Sequence, residues 1–259
     1  MELAFERRGT GAPLILVHGI GHHWQGWLPV MDRLAAHRDV IAVDLPGFGV
    51  SPGLPEGTPY TAETLADAVE AFCALLGLRE PHVAGNSLGG YIALELASRG
   101  VVRTATAFSP AGFWSRGELV WCQMALRAAR ANARSLSPAQ HMQIAESPVG
   151  RALAAGIMVA HPARLSPTAL VAATQALAWA PGFDQTLSSF GDLMPPAPPK
   201  VPITIAWGER DRLLPRRQAV RAAKWSGQRV KLLRGCGHLP MSDDPELVAS
   251  VILGSRTSG

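Results

Sequence analysis

A serine set between glycines offers the first chemistry in this chain. The run His82-Val83-Ala84-Gly85-Asn86-Ser87-Leu88-Gly89-Gly90 reads as a short strand, a Gly-x-Ser-x-Gly turn and the start of a helix over 91–99. A hydroxyl on such a turn projects from the end of a strand, and small neighbours let the backbone bend tightly enough to present it. The helix N-terminus that follows aims the Leu88 N–H at negative charge developing on a substrate oxygen. The competing reading is a Gly-rich turn carrying a solvated serine.

A serine hydroxyl is a weak nucleophile at neutral pH and needs a base in reach, held by an acid. Two later strands supply both. Ile203 to Trp207 runs into Gly208-Glu209-Arg210-Asp211, and Val230 to Leu233 runs into Arg234-Gly235-Cys236-Gly237-His238. Sites in open α/β sheets gather at strand C-termini, and the order Ser87, Asp211, His238 is the order such sheets use for a nucleophile, acid and base. Glu209 is the rival acid, but Asp211 lies deeper in the turn before Leu213, Leu214 and Pro215. Asp44, in Asp44-Leu45-Pro46-Gly47-Phe48-Gly49, precedes the serine and is expected to organise its own Gly-rich turn. Cys236 is expected to pack a turn rather than react.

An oxyanion needs a second donor. The apolar run Pro13-Leu14-Ile15-Leu16-Val17 ends in His18-Gly19-Ile20-Gly21, where the Ile20 N–H can face Ser87 and the glycines permit the close approach. His18 is expected to orient that loop. His22, His23 and Trp24, just beyond it, are candidates for substrate contact.

Positioning these groups requires strands, and short apolar runs alternate with helical periodicity along the chain. The expected strands are Leu3 to Arg7, Leu14 to Val17, Val40 to Val43, His82 to Ala84, Thr104 to Phe108, Ile203 to Trp207 and Val230 to Leu233. This alternation predicts crossovers and a doubly wound, mostly parallel sheet. Ala62, Leu65, Ala66, Val69, Phe72, Cys73 and Leu76 fall on one helical face, with Thr61 at the cap and Gly77 as the stop. A last helix is marked by Asp244, Pro245 and Gly254, and the tail Ser255 to Gly259 is expected to fray. Between 112 and 199 the pattern contains no strand. It holds Ala- and Leu-rich runs broken by Pro138, Pro148, Pro162, Pro167 and Pro181, and closes on Pro195-Pro196-Ala197-Pro198-Pro199. The division predicted is a core of 1–111 and 200–259 with a helical cap over 112–199.

The chain has 259 residues, 47% of them apolar, 17% charged, and a net charge of +4. That balance suits a globular protein and argues against a nucleic-acid binder, which concentrates its basic residues in a stripe. No apolar run is long enough to span a membrane, and the start of the chain has no apolar segment resembling a signal peptide. Three widely spaced cysteines without a CxxC pair point to reduced thiols in a cytoplasmic setting and to no metal site. Six arginines of the 112–199 stretch (Arg116, Arg127, Arg130, Arg134, Arg151, Arg164) are read as solvated, although one turned inward could clamp a carboxylate.

Taken together, His18-Gly19-Ile20-Gly21, the block Asp44 to Ser51, Gly85 to Gly90, Gly208 to Asp211 and Gly237-His238 resemble the α/β-hydrolase family. The resemblance implies an α/β-hydrolase fold with a helical cap inserted after the sixth strand, a pocket beneath the cap, and no cofactor. It agrees with Asp211 as the acid. Haloalkane dehalogenases and epoxide hydrolases of the family use aspartate at the nucleophile position, which Ser87 excludes. Asn86 is similar to the residue found there in hydrolases of ring-fission products, whereas many simple esterases carry histidine. The expected function is hydrolysis of a small to medium apolar carboxylic ester through Ser87, His238 and Asp211, with the Ile20 and Leu88 amides as oxyanion hole. Carbon–carbon bond hydrolysis, a lyase or perhydrolase on the same residues, and a non-enzymatic ligand receptor are the alternatives.

Overall fold

The computed structural model describes residues 1–254, so the expected fraying of Ser255 to Gly259 lies outside the described residues. Seven strands form one sheet: β1 (Phe5–Arg8), β2 (Pro13–Val17), β3 (Asp39–Val43), β4 (His82–Asn86), β5 (Thr104–Phe108), β6 (Ile203–Gly208) and β7 (Lys231–Leu233). Their order is β1-β3-β2-β4-β5-β6-β7. Only β1 runs antiparallel, to β3. The remaining pairs are parallel.

Both faces of this sheet are covered, and the side chains of β2 show how. Ile15 and Val17 belong to a core shared with Leu65, Val69, Ile92 and Leu96. Leu14 and Leu16 point the other way, into a second core with Met31, Leu34, Val248 and Val251. The continuous apolar run of β2 therefore follows from burial on both sides, as parallel strands under crossover helices require. Helix α1 (Leu28–Ala35) lies on the second face, and α2 (Ala62–Leu75) and α3 (Leu88–Arg99) on the first. Thr61 caps α2 by accepting from Thr64 N–H, and Gly77 beyond the helix has φ of 67°.

Between β5 and β6 the chain leaves the sheet for five helices: α4 (Arg116–Ser135), α5 (Pro138–Glu146), α6 (Pro148–Ala155), α7 (Pro167–Trp179) and α8 (Phe183–Ser189). The insertion thus follows the fifth strand, not the sixth, because a single strand, β1, precedes β2 in this sheet. Its prolines start helices rather than merely break them. Ser137, Ser147 and Ser166 each cap a helix whose first residue is proline, accepting from Gln140, Gly150 and Ala169 N–H. After β6 come α9 (Arg217–Ser226), the short α10 (Pro240–Asp243) and α11 (Pro245–Leu253). Asp244 caps α11 through Leu247 N–H at 2.9 Å, and Gly254 ends it with φ of 72°.

Three arginines of the insertion fasten helix ends, while Arg116, Arg127 and Arg164 are exposed as expected. Arg130 is only 4% exposed; it donates to Ala180 O (2.9 Å), pairs with Asp184 (2.6 Å) and lies over the Phe183 ring. Arg134 donates to Ala178 O at 2.8 Å and Arg151 to Ala145 O at 2.6 Å. The expectation of solvation is corrected for Arg130, which is buried, and Arg151, which is half-buried; Arg134 stays exposed, as expected, while its Nε meets a carbonyl at the end of α7.

Glu118 fastens the insertion to the sheet. It is 2% exposed, accepts from Ser115 N–H (2.6 Å) at the start of α4, and pairs with Arg217 and Arg221 of α9. Burial raises its pKa, but the Ser115 N–H and the two guanidinium groups outweigh that and hold it below its ordinary value of 4.5. A carboxylate held low stabilises the fold above its unfolded pKa and loses that contribution on acidification. Glu118→Gln should lower the urea-unfolding free energy by about 2 kcal/mol at neutral pH. The gap to wild type should then narrow as pH falls below 4.5.

Candidate active site

Ser87 sits between β4 and α3 with φ of 58° and ψ of −116°, a conformation that costs a non-glycine residue about 1–3 kcal/mol. Neighbouring groups hold it there. Its N–H donates to Phe108 O at 2.9 Å, and its carbonyl accepts from Tyr91 N–H and Ala111 N–H, both at 3.0 Å. The glycines on either side are sterically required: a Cβ on Gly85 would overlap the Gly89 carbonyl, and one on Gly89 would overlap the Val17 carbonyl. Helix α3 can therefore begin directly against β2.

The two partners expected for Ser87 come together at neighbouring strand ends. His238 Nδ1 lies 2.8 Å from Asp211 Oδ2, and both side chains are buried. The other carboxylate oxygen of Asp211 accepts from Leu213 N–H (3.0 Å) and Leu214 N–H (2.7 Å). With Asp211 accepting at Nδ1, the imidazole keeps its proton there and leaves the Nε2 lone pair free. Glu209, the rival acid, instead accepts from Gly235 N–H at 3.0 Å and braces the loop that carries His238.

Ser87 and His238 line one narrow cleft, together with Gly19, Ile20, His22, Asn86, Leu126, Met158, Leu213 and Leu239. Among the described residues no hydrogen bond joins Ser87 to His238, a looseness common before substrate binds. Gly19 backs the serine closely, since a Cβ there would lie 3.1 Å from Ser87 Cβ. The N–H groups of Ile20 and Leu88 have no hydrogen-bond partner among the described residues, and Leu88 opens α3, where an orphan donor is expected.

The surrounding polar residues are structural. His18 lies between Gly19 O (2.7 Å from Nδ1) and Leu45 N–H (3.0 Å from Nε2), so it carries its proton on Nδ1 and fixes the loop. Asp44 accepts from Trp24 N–H (2.6 Å) and Val50 N–H (2.9 Å), organising its Gly-rich turn. Burial pushes the Cys236 thiol up to about 12, so it stays protonated and packs in the second core. Of the three residues that follow Gly21, only His22 reaches the cleft; the Trp24 N–H is taken by Asp44, and His23 pairs with Gln25.

The apolar wall was only partly legible. Met158 lines the cleft from the insertion, whereas its Trp121, Met124 and Trp179 are exposed. Leu126, Leu213 and Leu239 give no individual signal in the sequence; Leu126 could have been found on the buried stripe of α4 with Cys122 and Arg130. A tether was also missed. Asn86 donates from Nδ2 to His238 O (2.9 Å) and Phe108 O (3.2 Å), tying the serine turn to the histidine loop.

Sequence comparison agrees with this architecture. The alpha/beta hydrolase family profile matches residues 14–251. The pimeloyl-[acyl-carrier protein] methyl ester esterase of Aeromonas salmonicida is 41% identical over 97 residues, 38% of this chain and 36% of that protein. The chain thus spans about a third of that relative. The epoxide hydrolase EphH of Mycobacterium tuberculosis is 30% identical over 74% of this chain and 93% of that protein. The 2-hydroxy-6-oxo-2,4-heptadienoate hydrolase of Pseudomonas putida is 38% identical over 35% of this chain and 34% of that protein. Among solved structures, a bacterial membrane phospholipase A superposes with a TM-score of 0.77 at 26% identity, covering 97% of this chain and 81% of that one. A thermophilic esterase from Thermogutta terrifontis gives 0.72 at 26% identity, with 97% and 92% covered. The chain belongs to the alpha/beta hydrolase family.

Burial holds the pKa of His18, and of His22 beside it, down at about 3 from an ordinary 6.5. A group held low supports the fold above its unfolded pKa and withdraws that support as pH falls through the folded one. Unfolding free energy should therefore decline between pH 6.5 and about 3. His18→Gln, which keeps a donor and an acceptor but does not titrate, should flatten that decline in denaturant titrations.

Proposed function

We propose that this protein is a serine hydrolase of small to medium apolar carboxylic esters, with the helical insertion over 112–199 serving as cap above a core of 1–111 and 200–259. The observation that carries the reading is the His238–Asp211 pair opening onto the same cleft as the strained Ser87. In this reaction Ser87 Oγ attacks the ester carbonyl while His238 Nε2 takes its proton. The negative oxygen of the tetrahedral intermediate faces the Ile20 and Leu88 N–H groups. His238 returns the proton to the departing alcohol, and water, activated in the same way, releases the acid from the acyl-enzyme. Asp211 holds the imidazole in the tautomer with Nε2 free. The reduced cysteines, all buried, fit a cytoplasmic setting, and among the described residues no helix is long and apolar enough to cross a membrane.

The cleft favours an uncharged ester over the alternatives. Leu126, Met158, Leu213 and Leu239 form its apolar wall, no lysine or arginine among the described residues lines it, and His22 is held neutral near pH 7. A dienoate such as the one named for the Pseudomonas putida relative carries a carboxylate, and this cleft has no cation to meet it. Epoxide hydrolysis is disfavoured by the nucleophile. Serine opening an epoxide would leave an ether, with no carbonyl for water to attack, whereas an acyl-serine can be hydrolysed.

A fluorophosphonate should add once, on Ser87, and p-nitrophenyl esters should be turned over with kcat/KM falling at long acyl chains. Ser87→Ala should abolish both. Asp211→Asn should reduce kcat by about 10⁴-fold, whereas Glu209→Gln should stay within about tenfold of wild type because it loses a loop brace and not the imidazole's partner. Turnover of a ring-fission diketone with inert esters, or equal losses in the Asp211 and Glu209 variants, would overturn the assignment.

A further inference from the structure

Asp243 belongs to none of the groups assigned so far, yet its buried carboxylate touches both the histidine loop and the insertion. It lies at the end of α10 and is 6% exposed. One oxygen accepts from Gly237 N–H at 2.7 Å and Ala160 N–H at 3.0 Å, and the other from His161 N–H at 2.8 Å. Three backbone donors converge on one charged acceptor, an arrangement stronger per bond than neutral pairing.

The contact lies on both sides of His238. Gly237, before it, is packed so closely that a Cβ would sit 2.8 Å from Ala160 N and 3.0 Å from Met158 O. Leu239, after it, donates its N–H to Met158 O at 2.8 Å. Met158 in turn lines the cleft. The segment 158–161 is thus sewn to the loop that carries the candidate base, and the insertion reaches the sheet here by backbone hydrogen bonds rather than by apolar contact alone.

From this we infer that Asp243 is a positioning residue: it locks the histidine loop and the pocket-wall segment 158–161 into one unit, so that the place of His238 over Ser87 depends on the insertion being seated. The inference rests on the proposed Ser87–His238 chemistry for its catalytic half. Its structural half does not. An asparagine at 243 is nearly isosteric but has one acceptor oxygen for donors now shared between two. The neighbouring Asp244 supplies a matched control, since it caps α11 through Leu247 N–H and none of its hydrogen bonds reaches the histidine loop or the insertion.

The test compares wild type, Asp243→Asn and Asp244→Ala, each well below its own melting temperature. In Asp243→Asn the amides of Ala160, His161 and Gly237 should exchange with deuterium at least tenfold faster, with the sheet strands unchanged. Its kcat on a p-nitrophenyl ester should fall by about 10- to 100-fold, since misplacing a catalytic group by an ångström has that scale of effect. KM should stay within threefold. Asp244→Ala should lower the melting temperature while kcat stays within twofold of wild type. Unchanged exchange at the three amides overturns the lock, whatever the enzyme's substrate. Faster exchange with kcat within twofold of wild type overturns the positioning role, as do equal kcat losses in the two variants. If wild type neither turns over esters nor takes the fluorophosphonate on Ser87, the hydrolytic reading fails separately and the exchange result still decides the lock.

Discussion

The close approach of α3 to β2 is the constraint on which the rest of this molecule depends. A helix can begin one residue after a strand only if its first turn lies against the neighbouring strand's backbone, and here the Val17 carbonyl occupies the space a Cβ on Gly89 would need. That contact forces Ser87 into left-handed backbone space, and the Phe108, Tyr91 and Ala111 hydrogen bonds keep it there. The strain is local and the restraint comes from three surrounding elements, so the turn holds its shape without help from a ligand. It also fixes the neighbours. Gly19, which follows β2, is brought to within contact of Ser87, and the first N–H of α3 is left without an acceptor.

Parallel register carries the same constraint across the sheet. β4 pairs with β5, β5 with β6 and β6 with β7, each in the same direction, so the loops after β4, β6 and β7 emerge on one edge. Residues 87, 211 and 238 meet because each follows a strand on that edge, not because they are near in sequence. The backbone then closes the gaps between loops. Ser109 N–H donates to Ala206 O, Arg210 N–H to Cys236 O and Glu209 N–H to Leu233 O. Asn86 adds the side-chain link from the serine turn to the histidine loop.

What could be read from the sequence follows the range of the interactions involved. Strands buried on both faces announce themselves as apolar runs, and every expected strand is found with its ends shifted by at most two residues. Caps and stops at Thr61, Gly77, Asp244 and Gly254 are local chemistry and were equally legible. Long-range choices were not. Asp211 is preferred to Glu209 on its depth in the turn alone, whereas in the structure the turn of the chain after β6 directs one carboxylate to His238 and the other to Gly235 N–H. Arg130 and Arg151 misled for the same reason. A cation on a helix is solvated by default, and nothing local says that Arg130 will find the end of α7, some fifty residues on.

Those arginines bear on what the cleft can bind. A buried guanidinium is tolerated where carbonyls or a carboxylate meet it, and the buried Arg130 and half-buried Arg151 are taken up in this way by the ends of α7 and α5. The insertion can therefore be rich in arginine and still present leucine and methionine to Ser87. The Ser-Pro starts of α5, α6 and α7 set where those helices begin, and the carbonyls where α7 and α5 end take up Arg130 and Arg151.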